Sequence, residues 1–166
     1  LTAVLMVQLG TPQAPEPAPV RRYLAEFLSD PRVVEIPRLL WLAILHGVIL
    51  RVRPAKSAAK YASIWTPEGS PLKVWTEKQA KLLQGWLGQR GHFVKVRYAM
   101  RYGQTSIASQ PDAFKAEGVT PVLLVPDYPQ YSATTTPRLF HAAFALPGKQ
   151  PATPELRFVH RYHVAP

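Results

Sequence analysis

Side chains suited to holding a ligand concentrate in one stretch, residues 119–136, which reads VTPVLLVPDYPQYSATTT. Tyr128 and Tyr131 supply aromatic faces. Gln130, Ser132, Thr134, Thr135 and Thr136 supply polar groups, and Asp127 is the single charge. The apolar run 122–125 before them has the character of a strand buried on both faces, stopped by Pro126 and Pro129. In an open α/β sheet, ligands sit in the crevice beyond the carboxyl ends of the strands, and this loop has the composition for such a place. A polar strand-to-helix loop with capping hydroxyls is the plainer alternative.

Other chemistry is thinly supplied. His160 and His163 lie three apart on a strand-like segment, a spacing that turns them to opposite faces and argues against a shared metal. His46, His92 and His141 are scattered. The carboxylates, Asp30, Asp112, Asp127 and seven glutamates, form no pair at a catalytic spacing. No G-x-S-x-G elbow, P-loop or EF-hand pattern occurs, and Gly10 after the first strand lacks the further glycines of a dinucleotide fingerprint. With no cysteine, the chain supplies no thiolate ligand for zinc or for an iron–sulfur cluster. The excess of 20 Lys+Arg over 10 Asp+Glu suits an anionic partner: nucleic acid, a membrane surface or an acidic small ligand. The basic-aromatic series Lys95, Arg97, Tyr98, Arg101 and Tyr102 alternates along a predicted strand, so a solvated strand face explains it more cheaply than nucleic acid does.

The elements that must position these groups alternate. Strand patterns cover 3–9, 92–100, 119–125 and 156–162. Helical patterns cover 19–28, 37–50, 55–65, a segment opened by Ser70 and Pro71, 103–115 and 136–146. On the helix after Ser70, the pattern buries Leu72, Trp75, Leu82, Leu83, Trp86 and Leu87. The 37–50 segment is apolar nearly all round, and Arg51, Arg53 and Lys56 follow it, placing cations at a predicted helix C-terminus. Its 12-residue apolar stretch is shorter than the ~20 residues that span a bilayer. The predicted fold is α/β: an open parallel four-stranded sheet with helices on both faces, in one domain of 166 residues. No charged leader with an apolar region and cleavage site is visible, and the cysteine-free composition fits a reducing compartment.

Four stretches, in order, resemble one family. Leu9-Gly10-Thr11-Pro12 resembles its N-terminal turn. The run from Arg22-Tyr23-Leu24 through Phe27-Leu28-Ser29-Asp30-Pro31-Arg32-Val33-Val34 resembles its first helix and following link. Tyr61-Ala62-Ser63-Ile64-Trp65 with Gly69-Ser70-Pro71-Leu72 resembles its Y-x-x-I-W…G-S-P-L segment. Tyr128-Pro129-Gln130-Tyr131-Ser132 with Thr134-Thr135 resembles its Y-P-Q-Y-S signature. The family is ferrochelatase, in its proteobacterial form.

The resemblance implies a lyase that inserts ferrous iron into protoporphyrin IX to make protohaem. It implies two similar α/β domains with the porphyrin between them, of which residues 1–166 are the N-terminal one. The family's catalytic histidine and glutamate belong to the other half, so the resemblance implies no catalytic residue and no metal ligand in this chain, and an inactive fragment. Arg53, Tyr61 and Ser70 match positions that contact porphyrin carboxylates and polar edges, with Lys60 in support. Tyr128, Gln130, Tyr131 and Ser132 match the porphyrin-side loop. Leu39, Leu40, Trp41 and Leu42 read as a greasy lip admitting porphyrin, with a membrane surface as one source. Leu9 stands where some relatives place a metal-side tyrosine or methionine, and Asp127 where leucine is usual. Ferrous iron and porphyrin are substrates, no resident cofactor is implied, and the expected location is cytoplasmic with peripheral membrane contact. The rival reading is a basic, non-catalytic α/β module that binds an anionic ligand or partner.

Overall fold

The apolar runs at 3–9 and 122–125 become neighbouring strands of one sheet. The computed structural model describes residues 2–127, 155–159 and 162. Its elements are β1 (Ala3–Thr11), α1 (Pro17–Ser29), α2 (Arg38–Ile44), a π-helical turn (Leu45–Ile49), α3 (Leu50–Ile64), α4 (Pro71–Gln89), β2 (Lys95–Gly103), a 3-10 turn (Ile107–Ser109), α5 (Gln110–Ala116), β3 (Val122–Pro126) and β4 (Leu156–Phe158). The four strands form one sheet in the order β2-β1-β3-β4. β1 runs parallel to β3 with Ala3 opposite Val122 and Val7 opposite Pro126, and β3 runs parallel to β4. The α/β class and the four-stranded parallel sheet are therefore as the sequence predicts.

Two compact units divide the chain: residues 1–9, 75–101 and 105–166 in one, Gly10–Val74 with Tyr102–Gln104 in the other. The first unit's core sits on one face of the sheet. Ala3, Leu5 and Val7 of β1 and Val122 and Leu124 of β3 point that way and pack with Phe114 of α5. Burying side chains of this kind contributes about 1.5–3 kcal/mol for each large one. In the second unit, α1 buries Val20, Tyr23, Leu24 and Leu28, the face that its 3.6-residue period predicts. Pro17 and Pro19 open that helix at no cost, because first-turn N–H groups have no intrahelical acceptor.

Several predicted boundaries move. The break expected between 50 and 55 is absent: α2, the π turn and α3 form one continuous helical run, with Pro54 inside it. Pro54 falls just after the π turn, where the hydrogen-bonding register has already shifted, so its missing N–H disturbs little. Arg51, Arg53 and Lys56 consequently lie in the first turns of α3 and not at a helix C-terminus. β2 starts three residues later than predicted and runs on to Gly103, which displaces the predicted start of the following helix to the turn at Ile107. Pro126 belongs to β3 as its last residue. The predicted helix at 136–146 lies outside the described residues.

Burial divides the 39–50 segment and corrects the reading of α4. Of the apolar stretch 39–50, Leu45 and Leu50 are buried, while Leu39, Leu40, Ile44 and Val48 are exposed. On α4 the buried residues are the small Thr76 and Ala80, whereas Leu72, Trp75, Leu82 and Trp86 are exposed, opposite to the pattern-based reading. Leu83 and Leu87 are half-buried.

Candidate functional site

The Leu9-Gly10-Thr11-Pro12 turn is held by its neighbours in the second unit. Gly10 has φ +133°, and a Cβ there would stand 2.2 Å from the Tyr102 carbonyl oxygen. Gly103, with φ +86°, has the Thr11 carbonyl 2.7 Å from its own Cβ position. The two strand ends thus approach so closely that each needs a residue without a side chain. Thr11 Oγ1 and Ser70 Oγ share a buried hydrogen bond of 2.7 Å, which ties the turn to the residue before α4. Tyr23 donates its hydroxyl hydrogen to the Gly10 carbonyl at 3.2 Å, and Tyr102 donates to Asp30 Oδ2 at 2.8 Å.

Around this turn the aromatic rings interlock. Tyr23 stacks on Phe27 and meets Tyr61 edge-on, Phe27 meets Tyr102 edge-on, and Tyr61 meets Trp65 edge-on. Such pairs contribute about 0.5–1.5 kcal/mol each beyond the area they bury. Burial raises the Tyr61 hydroxyl above the ordinary phenol value, opposed by a side-chain hydrogen bond with Tyr23. Tyr61 is accordingly a neutral phenol at physiological pH, able to donate to an anionic oxygen.

Arg53, Lys56 and Lys60 are exposed on α3. Positions three, four and seven apart share a helix face, so the three cations form one stripe, with Arg53 and Lys60 about 10 Å apart along the axis. A second, apolar stripe runs at intervals of four through Leu40, Ile44, Val48 and Val52, all exposed. The π turn within it widens the helix locally and keeps residues at that spacing in line. Leu39 is 87% exposed. Trp41 and Leu42 are half-buried, and the Trp41 indole N–H donates to the Leu28 carbonyl at 2.7 Å, which turns that ring inward. Of the four lip residues nominated from the sequence, Leu39 and Leu40 are thus the outward pair.

In the first unit, the carboxyl ends of β1 and β3 hold a polar pair. Gln8 donates through Nε2 to Asp127 Oδ2 at 2.9 Å and accepts through Oε1 from the Leu9 N–H at 3.0 Å. The Asp127 N–H donates to the Val7 carbonyl at 2.9 Å. Half-burial raises the Asp127 carboxyl above its ordinary value, against the lowering effect of the Gln8 amide. Tyr162 donates to the Pro126 carbonyl at 2.9 Å, and its own hydroxyl is raised by burial and then by the Asp127 charge. Asp127 stands out in the sequence as the one charge of its loop, but its pairing with Gln8 does not. Its one signal is a glutamine inside an otherwise apolar strand.

The loop residues Tyr128, Gln130, Tyr131 and Ser132 lie outside the described residues, as do His141, His160 and His163. His46 and His92 are exposed and lie on separate elements. Among the described residues, no group of three or more His, Cys, Asp or Glu side chains could hold a metal ion. No helix among them is long and apolar enough to cross a membrane. The first unit also has a cavity of about 400 Å³ between α4 and the outer edge of β2, lined by Ala80, Gln84, Val96 and Tyr98 and flanked by the Glu77–Lys81 ion pair. It lies against the middle of β2 and not at the strands' carboxyl ends, where ligands of open α/β sheets bind.

Known proteins identify the pattern. A family model described as ferrochelatase matches residues 1–166. A ferrochelatase of Methylibium petroleiphilum is 68% identical over 164 residues, covering 99% of this chain and 45% of that protein. One from a Polaromonas species is 64% identical over 165 residues, with 99% and 45% covered. One from a Janthinobacterium species is 60% identical over 162 residues, with 98% and 44% covered. The chain spans somewhat less than half the length of these curated relatives.

Proposed function

The chain belongs to the ferrochelatase family, and from that premise we propose that the protein of which it forms part inserts ferrous iron into protoporphyrin IX. Residues 1–166 then act as the N-terminal chelatase-like domain: they supply one wall for the porphyrin and are inactive alone. The observation that carries this reading is identity of 60–68% to three ferrochelatases across nearly the whole chain.

The wall's chemistry follows from its residues. Protoporphyrin is a flat apolar macrocycle with carboxylates along one edge. Arg53 can take a carboxylate in a two-pronged pair of charge-assisted hydrogen bonds, and Lys60, on the same stripe, adds a second positive charge. Tyr61, a neutral phenol held by Tyr23, donates to a carboxylate oxygen without bringing a competing charge. Ser70 is buried with its hydroxyl on Thr11, and its proposed part is at the ligand's polar edge. Tyr128, Gln130, Tyr131 and Ser132 are assigned to the porphyrin by their match to the family signature. Leu39 and Leu40, with Trp41 and Leu42 behind them, give the apolar lip past which the macrocycle enters. We place this lip against a membrane surface in an otherwise cytoplasmic protein, because outward leucines beside exposed cations suit an anionic lipid boundary. Proton removal from the pyrroles is assigned to the polypeptide beyond this chain.

The test uses the full-length protein, with porphyrin consumption followed by its fluorescence. Iron insertion is expected, and Arg53→Ala should raise KM for porphyrin about tenfold, the loss of one charge-assisted pair. Full-length protein without iron insertion would overturn the reading. So would a fragment of residues 1–166 that turns over at the full-length rate.

A further inference from the structure

An edge strand presents a row of unpaired backbone N–H and C=O groups, and proteins ordinarily cover them. β2 is an edge of the sheet, with β1 as its inner neighbour. The Lys95 N–H donates to the Thr2 carbonyl at 3.1 Å on the β1 side, so by alternation the backbone groups of residues 94, 96, 98 and 100 point outward. The chain itself covers two parts of this edge. The Gln84 side chain of α4 donates to the Val94 carbonyl at 2.6 Å and accepts from the Val96 N–H at 2.6 Å. Farther along, the Met100 N–H donates to the Thr105 carbonyl at 2.8 Å. Between these two contacts lie the Val96 carbonyl and the Tyr98 N–H, which have no partner among the described residues.

Both residues line the cavity of about 400 Å³ between α4 and the outer edge of β2, and every residue around it belongs to the first unit. Arg97 and Ala99 turn to the other face of the sheet, toward Phe114, so Val96 and Tyr98 present their side chains on the α4 side. On α4 the small, buried Ala80 leaves room that a larger residue would occupy. The walls are mostly apolar. Charge is satisfied locally: Glu77 and Lys81 pair at 2.8 Å on the rim, and Arg97 pairs with Glu117. The site therefore calls for a neutral ligand. Its volume is near the lower end of the range for small-molecule sites, about 300–1,000 Å³, which leaves room for a compact body of one or two rings.

We propose that this cavity is a binding site for a small, neutral, mostly apolar molecule that carries a carboxamide or lactam. The ligand's amide N–H donates to the Val96 carbonyl, and its carbonyl accepts from the Tyr98 N–H. Its apolar body lies against Ala80 and the Val96 and Tyr98 side chains. Gln84 shows that this edge takes a carboxamide, because its side chain makes the same two bonds one repeat earlier, to residues 94 and 96. The ligand adds the next repeat, to residues 96 and 98. An extended peptide is a poorer fit: strand addition needs a run of backbone pairs, and here Gln84 and Thr105 close the edge on either side of one. A carboxylate does not serve, because it has no N–H for the Val96 carbonyl. Porphyrin chemistry plays no part in this site.

Titration of the full-length protein with benzamide and with methyl benzoate, followed by backbone amide NMR, tests it. The two probes are of similar size and shape and both offer a carbonyl, but the ester has no N–H to donate. Benzamide should move the Tyr98 amide resonance saturably and bind about tenfold or more tightly than methyl benzoate, the difference made by one hydrogen bond to an otherwise unpaired carbonyl. Ala80→Leu, which fills the cavity from α4, should abolish the saturable shift. If that variant does not accumulate, the comparison of the two probes on the parent protein still decides. No saturable shift at Tyr98 with benzamide would overturn the proposal. Equal affinity for the two probes would also overturn it, because the cavity would then take apolar bodies without reading an amide. So would a Tyr98 amide that is protected from hydrogen exchange in the ligand-free protein and unmoved by either probe, since the edge would then be covered by polypeptide beyond this chain. Iron insertion enters none of these readouts.

Discussion

The buried hydrogen bond between Thr11 and Ser70 offers a sharp quantitative test of how the Gly10 turn is held. Both hydroxyls are buried, and each is the other's partner at 2.7 Å. Thr11→Val keeps the shape of the side chain and strands the Ser70 hydroxyl, so it should cost about 1–3 kcal/mol, the penalty for a buried polar group without a partner. Ser70→Ala strands Thr11 in the same way and should cost a similar amount. The double variant strands neither, and its loss should be close to that of one single variant. The coupling energy is then about 1–3 kcal/mol, well outside the ~0.3–0.5 kcal/mol within which independent sites add. Urea unfolding of the four full-length proteins, with midpoints compared at constant slope, measures it. Additive losses would refute the reasoning, because they would mean that each hydroxyl finds water when its partner is removed. The same proteins divide contact from positioning: if Thr11→Val raises KM for porphyrin as much as Ser70→Ala, Ser70 matters through the turn and not through the ligand.

Two further outcomes follow from the strand ends. Gly10→Ala puts a Cβ 2.2 Å from a backbone oxygen at a φ of +133°. Strained backbone and forced displacement each cost about 1–3 kcal/mol, so the variant should lose about 2–6 kcal/mol in chemical denaturation, and a loss below about 1 kcal/mol would refute the close approach. At Asp127 burial raises the carboxyl above its ordinary value of 3.8. A group raised in the folded state contributes most below its unfolded value, and that contribution is lost as pH rises through the folded value. Asp127→Asn, which keeps an acceptor for Gln8, should therefore match or exceed the parent in stability at neutral pH and lose its advantage as pH falls below about 4; a variant less stable than the parent at pH 7 but not at pH 4 would reverse the sign.

The parallel sheet was legible because β1 and β3 are short apolar runs, β2 alternates, and helical periods separate the strands, a pattern that admits few topologies. The end of β1 near L-G-T-P was legible, although Leu9, Gly10 and Thr11 belong to the strand and not to a turn. That glycine is obligatory there was not, because the obstacle is the Tyr102 carbonyl, some ninety residues away. Pro54 misled for a local reason: proline is read as a helix breaker, and nothing in the sequence announces the π turn that lets the helix run through it. The Gln8–Asp127 pair was hidden in another way. Glutamine in a strand is neutral to any periodic reading, and its partner arrives 119 positions later.

The expectation that failed on α4 is the most informative. Trp75, Leu82 and Trp86 have the spacing of a buried face, and in this chain they are not buried. Hydrophobic spacing reports the burial required in the finished molecule, whereas accessibility reports the burial that the residues present can supply. The two disagree where a contact is supplied from elsewhere. On α4 the disagreement lies on the flank opposite Gln84. The exposed stripe through Leu40, Ile44, Val48 and Val52 has cations as its neighbours in sequence.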